Sequence, residues 1–214
     1  MKRQTKVLQA LRQTREWKQL RRTASNLVRR LAPRPEQLAP SSPYSYKFLD
    51  YEFWMKVNVN RAIGLGLDRA TGLRILDIGT GTAMFPFVCR FLGHDVTTTE
   101  IPRLSDENAL IYPPMRRSVG VYRPRKLYIY KPNVNLTGTF DMVCAFMICF
   151  GRKWRAKDWK TFTCCARRNI VLGGRLILAF NRAITAGQKK TFYSIGSFTT
   201  NSIIIHNDTR INAE

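Results

Sequence analysis

The chain has 214 residues, enough for one domain and an appendage on a prior of roughly 100–200 residues per domain. Hydrophobic residues make up 44% and charged residues 23%, a balance that excludes a disordered chain and supports a packed core. Lysine and arginine number 36 against 14 acidic residues, a net charge of +22, and point to a polyanionic neighbour: nucleic acid, an anionic membrane surface or an acidic substrate.

Residues 1–32 read as one basic amphipathic helix. Val7, Leu8, Leu11, Trp17, Leu20, Ala24, Leu27, Val28 and Leu31 recur at helical spacing, and Glu16 is the one acid among many arginines and lysines. Such an arm packs its stripe on the main domain, or serves as a contact for RNA or an anionic membrane surface. Its Arg-rich, acid-poor composition is also that of a mitochondrial transit peptide. Pro33, Pro35, Pro40 and Pro43 end the helix and mark a linker, so 1–43 is an appendage and 44–214 the main domain. An aromatic-rich segment from Tyr44 is predicted helical toward Ala62.

Strand and helix signals then alternate. Strands are predicted at Leu73–Ile78, Asp95–Thr99, Leu127–Tyr130, Phe140–Phe146 and Arg175–Phe180, and helices at Met84–Leu92 and Lys157–Ile170. Residues 101–125 read as irregular, Gly173-Gly174 as a turn, and Phe192–His206 as a hairpin. Apolar strands alternating with helices imply an α/β fold with a parallel sheet covered on both faces, closed at one edge by the hairpin.

The five cysteines include no C-x-x-C pair, and Cys89, Cys144 and Cys149 lie in apolar runs, so a disulfide framework is not expected and a reducing compartment is. His94 and His206 give no metal-ligand spacing, and no metal site is expected. No run of about 18 apolar residues is present, and the N-terminus lacks the apolar region of a secretory signal. The expectation is a cytoplasmic protein without a membrane span, with peripheral membrane contact through the arm as an option.

The segment Leu73–Ala83 joins a strand, an acid, two glycines and a helix. Ligands of open α/β sheets bind beyond the carboxyl ends of the strands, so Asp77-Ile78-Gly79-Thr80-Gly81-Thr82 lies at the expected site. Glycine allows a sharp turn and close approach of backbone to ligand. A nicotinamide or flavin turn wants a third glycine where Met84 stands, and its pyrophosphate would be repelled by Asp77. A ligand carrying an ammonium suits Asp77 better. Glu100, about 20 residues beyond the glycines, ends the next strand and can accept both hydroxyls of a ribose.

These residues, with Phe140–Ala145 and Leu172-Gly173-Gly174-Arg175-Leu176-Ile177-Leu178, resemble the class I S-adenosylmethionine-dependent methyltransferases over residues 45–206. The resemblance implies a Rossmann-like three-layer sandwich, a mostly parallel seven-stranded sheet with one antiparallel strand, and S-adenosylmethionine as cofactor. It also implies that Asp77, Gly79 and Gly81 line the methionine part and Glu100 the ribose, with Thr80 a further cofactor-binding residue. The family often has an acid near the adenine after the third strand; here Asn133 stands in that region as a hydrogen-bonding substitute. No Asn-Pro-Pro-aromatic or Pro-Cys motif follows the fourth strand, which disfavours amide or base N-methylation of that type and cytosine C5 methylation.

Methyl transfer needs alignment and exclusion of water more than a base, so no catalytic residue is assigned. Phe146, Arg152 and Trp154 follow or end the fourth strand, where an acceptor pocket would open. Two acceptor readings stand: a small molecule or glycan or lipid precursor, favoured by the absence of an RNA-binding module, and RNA held by the arm and the basic rim. A third reading is a methyltransferase-like binding protein without catalysis.

Overall fold

The computed structural model describes residues 2–148, 150–151, 153–180, 197–198 and 202–206. Its helices are α1 (Lys2–Gln13), α2 (Arg15–Leu31), α3 (Pro35–Leu38), α4 (Tyr51–Gly64), α5 (Met84–Phe91), α6 (Asp106–Ser118) and α7 (Ala156–Arg167). Its strands are β1 (Arg74–Ile78), β2 (Asp95–Glu100), β3 (Arg125–Lys126), β4 (Phe140–Ile148), β5 (Ile170–Phe180), β6 (Ser197–Phe198) and β7 (Ser202–His206). The hydrogen-bonded order is β3-β2-β1-β4-β5-β7-β6. β1 pairs with β4 and β4 with β5 in parallel, whereas β7 runs antiparallel to both β5 and β6. An α/β fold with a mixed, mostly parallel sheet and a C-terminal antiparallel hairpin matches the strand pattern of the sequence.

The chain forms two compact units. The first comprises Met1–Gly72, Thr80–Thr98 and Pro102–Arg125. In it the expected single N-terminal helix is two helices broken at Thr14. The Thr14 hydroxyl donates to the Leu11 carbonyl at 2.7 Å and accepts the Trp17 amide at 3.1 Å, closing α1 and capping α2. The apolar stripe of α2 is spent inward: Trp17, Leu20, Ala24 and Leu27 are all buried. The Trp17 ring meets the Tyr51 ring of α4 edge-on, with centroids 5.7 Å apart. α2 stops at Leu31 and the left-handed Ala32, just before Pro33.

The irregular stretch expected over 101–125 contains a helix, α6. Ser105 caps it by accepting the Asn108 amide, and Asp106 and Glu107 suit the positive end of the helix dipole. Pro113 and Pro114 inside the helix disguised it, because proline ordinarily breaks one. Glu107 holds the chain before α4 by accepting the amides of Ser45 and Tyr46. His94 is buried with Nε2 2.8 Å from the Leu67 carbonyl, a structural bond.

The second unit comprises Leu73–Gly79, Thr99–Ile101 and Lys126–Glu214. Its core gathers Leu76 and Ile78 of β1, Val143 and Ala145 of β4, Leu176 and Leu178 of β5, Ile203 and Ile205 of β7, and Trp159 and Phe162 of α7. Removing this apolar surface from water is the main stabilising force of the unit. The strand expected at Leu127–Tyr130 is absent; β3 is confined to Arg125–Lys126. Gly173-Gly174 is an irregularity inside β5 and not a turn between elements. Phe140 pairs with Ile170 and Met142 with Arg175, so extra residues bulge out between those pairs. A Cβ on Gly174 would lie 2.8 Å from the Asp141 carbonyl, so only glycine fits there.

Candidate functional site

β1 buries every side chain after Arg74 and delivers Asp77 to its carboxyl end. The strand order reverses between β1 and β4, with β2 on one side and β5 on the other. A crevice opens at such a reversal beyond the strand ends, and that is where ligands of open α/β sheets bind. Asp77 lies opposite Cys144 of β4 in the register, and Ile78 opposite Ala145. Asp77 is 3% exposed, and the Cys144 thiol lies 3.7 Å from its Oδ1 as a donor. A carboxylate withdrawn from water calls for polar or cationic partners.

Gly79 follows with φ of 72°, the left-handed region that favours glycine. A Cβ built there meets no atom within 4 Å, so the backbone faces open space. The turn is clamped by a residue that the sequence reading did not single out. The Thr99 hydroxyl donates to the Asp77 carbonyl and accepts the Gly79 amide, both at 3.2 Å. Thr99 is buried at the end of β2, directly before Glu100. The signal in the sequence was its place beside Glu100, but a threonine in the run Thr97-Thr98-Thr99 reads as an ordinary strand former.

Glu100 is 5% exposed and its Oε1 accepts the Ile101 amide at 3.0 Å, which orients the carboxylate. The Glu100 carbonyl accepts the Leu127 amide at 2.9 Å. Tyr128 and Tyr130, just beyond, are 60% and 61% exposed, with ring centroids 5.0 Å apart. The Lys131 ammonium sits 5.6 Å over the Tyr130 ring. This exposed aromatic pair was hidden in the sequence by its alternation, which imitates a strand.

In the first unit, Thr80–Ala83 is a tight turn closed by the Ala83 amide on the Thr80 carbonyl at 2.8 Å. Gly81 and Ala83 both have positive φ, 52° and 61°, and α5 starts at Met84. The Thr80 hydroxyl is buried and has no hydrogen-bond partner among the described residues. An unsatisfied buried hydroxyl costs about 1–3 kcal/mol, and a polar ligand would recover it.

Asn133 is exposed and its Oδ1 accepts the Cys165 thiol of α7 at 3.3 Å, so its described partner is a helix and not Asp77 or Glu100. Phe146 is half-buried near the end of β4, opposite Ala179 of β5. The next residue, Met147, has φ of 55° at an irregularity in the β4–β5 register. A non-glycine residue held there is strained, and such strain gathers at functional sites. Trp154 packs in an aromatic cluster with Phe150, Trp159 and Phe162, its centroid 4.9 Å from that of Trp159. Arg152 lies outside the described residues.

Comparison with known proteins gives no matching family model and no matching curated sequence. The chain is similar to several solved structures. One is an S-adenosylmethionine-bound amino pentose methyltransferase from Micromonospora echinaspora, 19% identical over 59% of this chain and 50% of that one, TM-score 0.43. Another is an S-adenosylmethionine-dependent methyltransferase from Clostridium acetobutylicum, 18% identical over 61% and 50%, TM-score 0.43. A third is magnesium protoporphyrin IX methyltransferase from Synechocystis, 14% identical over 71% and 81%, TM-score 0.46. The chain spans half the length of the first two.

Proposed function

We propose that this chain transfers a methyl group from S-adenosylmethionine and that the acceptor is RNA. The observation that carries the donor half is a pair of buried strand-end carboxylates, Asp77 and Glu100, with the open, left-handed Gly79. Asp77 suits the ammonium of an amino-acid moiety and would repel a pyrophosphate. Glu100, oriented by the Ile101 amide on its Oε1, is a carboxylate acceptor for ribose hydroxyls. Thr99 holds the turn in shape, and Gly79 admits the ligand beside bare backbone. Thr80 and Gly81, next in the chain, join this proposal on the sequence pattern alone. Counting β3 and β6 as full strands of a seven-stranded sandwich belongs to the same reading.

When bound, S-adenosylmethionine supplies an electrophilic methyl group on a sulfonium. The protein's task is then to align an acceptor and keep water out. Phe146 and the strained Met147 at the end of β4 stand where β1 and β4 part, and supply an apolar wall there. Asn133, bonded to α7, enters this scheme only if it exchanges Cys165 for the donor's adenine.

Two observations favour RNA over a membrane-borne precursor. The apolar stripe of α2, which a membrane-surface helix would insert among lipids, is buried in protein. The exposed Tyr128–Tyr130 pair with Lys131 suits planar bases on an anionic backbone. Among the described residues no helix is long and apolar enough to cross a membrane.

Incubating the protein with methyl-labelled S-adenosylmethionine and total cell extract, then separating RNA from small molecules, tests both halves. Label should enter RNA with the native chain and fall at least about tenfold with Asp77→Ala, the loss of one charge-assisted contact. Label confined to a small molecule would remove the RNA half. Equal labelling by both proteins would remove the donor half. Donor binding without transfer to any fraction would leave a non-catalytic binding protein.

A further inference from the structure

The first unit contains a groove lined by none of the residues proposed to hold the methyl donor. It runs between α2 and α6 as two adjoining cavities of about 560 and 460 Å³ that share Thr23, Pro114 and Arg117. Arg15 lies at one end on α2, Arg30 at the other, and Arg117 of α6 borders both. Arg15 and Arg30 are about 22 Å apart along the helix at 1.5 Å per residue. All three are exposed, and among the described residues none forms an ion pair. The groove's lining also includes one carboxylate, Glu16.

The lining is not only cationic. Tyr122, 71% exposed, stands at the Arg15 end and Leu110 at the Arg30 end. Pro113 and Pro114 lack the N–H groups that would bond the carbonyls of Ala109 and Leu110 in a regular helix. A carbonyl that lacks its helical donor can accept from a base amino group or a ribose hydroxyl. Guanidinium groups for phosphates, a ring for stacking and backbone acceptors together describe a site for a polynucleotide. An exposed ring stacks only on an unpaired base, so the strand is single. A membrane surface fits worse, because the apolar side of α2 is already buried.

We infer that the α2–α6 groove binds the backbone of single-stranded RNA, with Arg15, Arg30 and Arg117 on phosphates and Tyr122 stacking on a base. This extends the RNA reading above and rests on it for its role, but the binding itself needs no methyl donor.

The test uses the full chain and a short fluorescein-labelled single-stranded RNA of mixed sequence, read by anisotropy across a series of KCl concentrations. The groove variant is Arg15→Gln, Arg30→Gln and Arg117→Gln combined. The control, Lys56→Gln, Arg69→Gln and Arg168→Gln, removes equal charge from other exposed positions. The groove variant should bind at least about tenfold more weakly, its salt slope reduced by about 2 for three lost phosphate contacts. The control should lose less than about threefold. Tyr122→Ala should weaken binding about tenfold with the salt slope unchanged, since stacking releases no counterions. Equal losses in both triple variants would overturn the proposal, as would binding to phosphatidylserine vesicles without binding to RNA. RNA methylation measured in parallel separates the two readings. A groove variant that binds and methylates RNA normally sinks the groove alone. RNA bound through the groove but never methylated keeps the groove and sinks RNA as the acceptor.

Discussion

At the scale of single residues, the site is shaped by groups that hold backbone. Thr99 occupies both hydrogen-bonding capacities of its hydroxyl on the glycine turn. Thr99→Val keeps the shape of the side chain and loses both bonds, and should weaken S-adenosylmethionine binding about tenfold. Thr99→Ser should restore it, measured by equilibrium dialysis. Gly79→Ala has room for its methyl group, but must adopt φ of 72° at a cost of about 1–2 kcal/mol. Its methyl also points into the space assigned to the ligand, so affinity should fall further than stability. Asp141 shows a separate, structural use of charge. Burial pushes its carboxyl up, but hydrogen bonds from the Arg74 side chain and amide, with the guanidinium charge, outweigh this and hold it below the ordinary value. A depressed folded-state value stabilises above the ordinary carboxylate range and is lost as pH falls through the folded value. Asp141→Asn should therefore cost about 1 kcal/mol near neutrality, since the pair is partly exposed. The difference from the native chain should close as urea melts are repeated toward acid pH.

At the scale of elements, periodicity was readable and exceptions to it were not. β1, β4, β5 from Arg175, α5 and α7 fell where apolar runs and helical spacing put them. The break at Thr14 was hidden because the stripe of α1 and α2 continues across it, and a threonine cap has no periodic signature. α6 was missed because Pro113-Pro114 outweighed a good cap at Ser105 and first-turn acids. Tyr128 and Tyr130 alternate like a strand but stay exposed, since β3 ends at Lys126. The strand-end positions of Asp77, Gly79 and Glu100 were legible because the spacing that sets them is local to two strands; their part in donor binding is the proposal made above. Thr99 was not legible, because its role depends on a contact 20 residues away in sequence. The inward stripe of α2 makes a quantitative demand. Leu20 is fully buried, so Leu20→Ala should cost about 2–5 kcal/mol in chemical denaturation, as a core position and not as a loose arm. A loss below about 0.5 kcal/mol would mean that the α2 stripe adds little to the stability of the packed unit.

At the scale of the whole chain, a net charge of +22 was visible at once but its address was not. Composition permits a membrane, an acidic substrate or nucleic acid equally. Burial of the α2 stripe and the arginine-lined groove beside α6 favour the proposed nucleic-acid partner, because they show which face of the arm is spent and which remains. The central claim concerns the donor, and calorimetric titration of S-adenosylmethionine into the protein, stripped of copurified ligand, tests it most directly. The native chain should bind one equivalent, and Asp77→Ala should bind about 10- to 100-fold more weakly, the range for losing a charge-assisted contact. No heat of binding from the native chain, or equal affinity for the two proteins, would contradict the account.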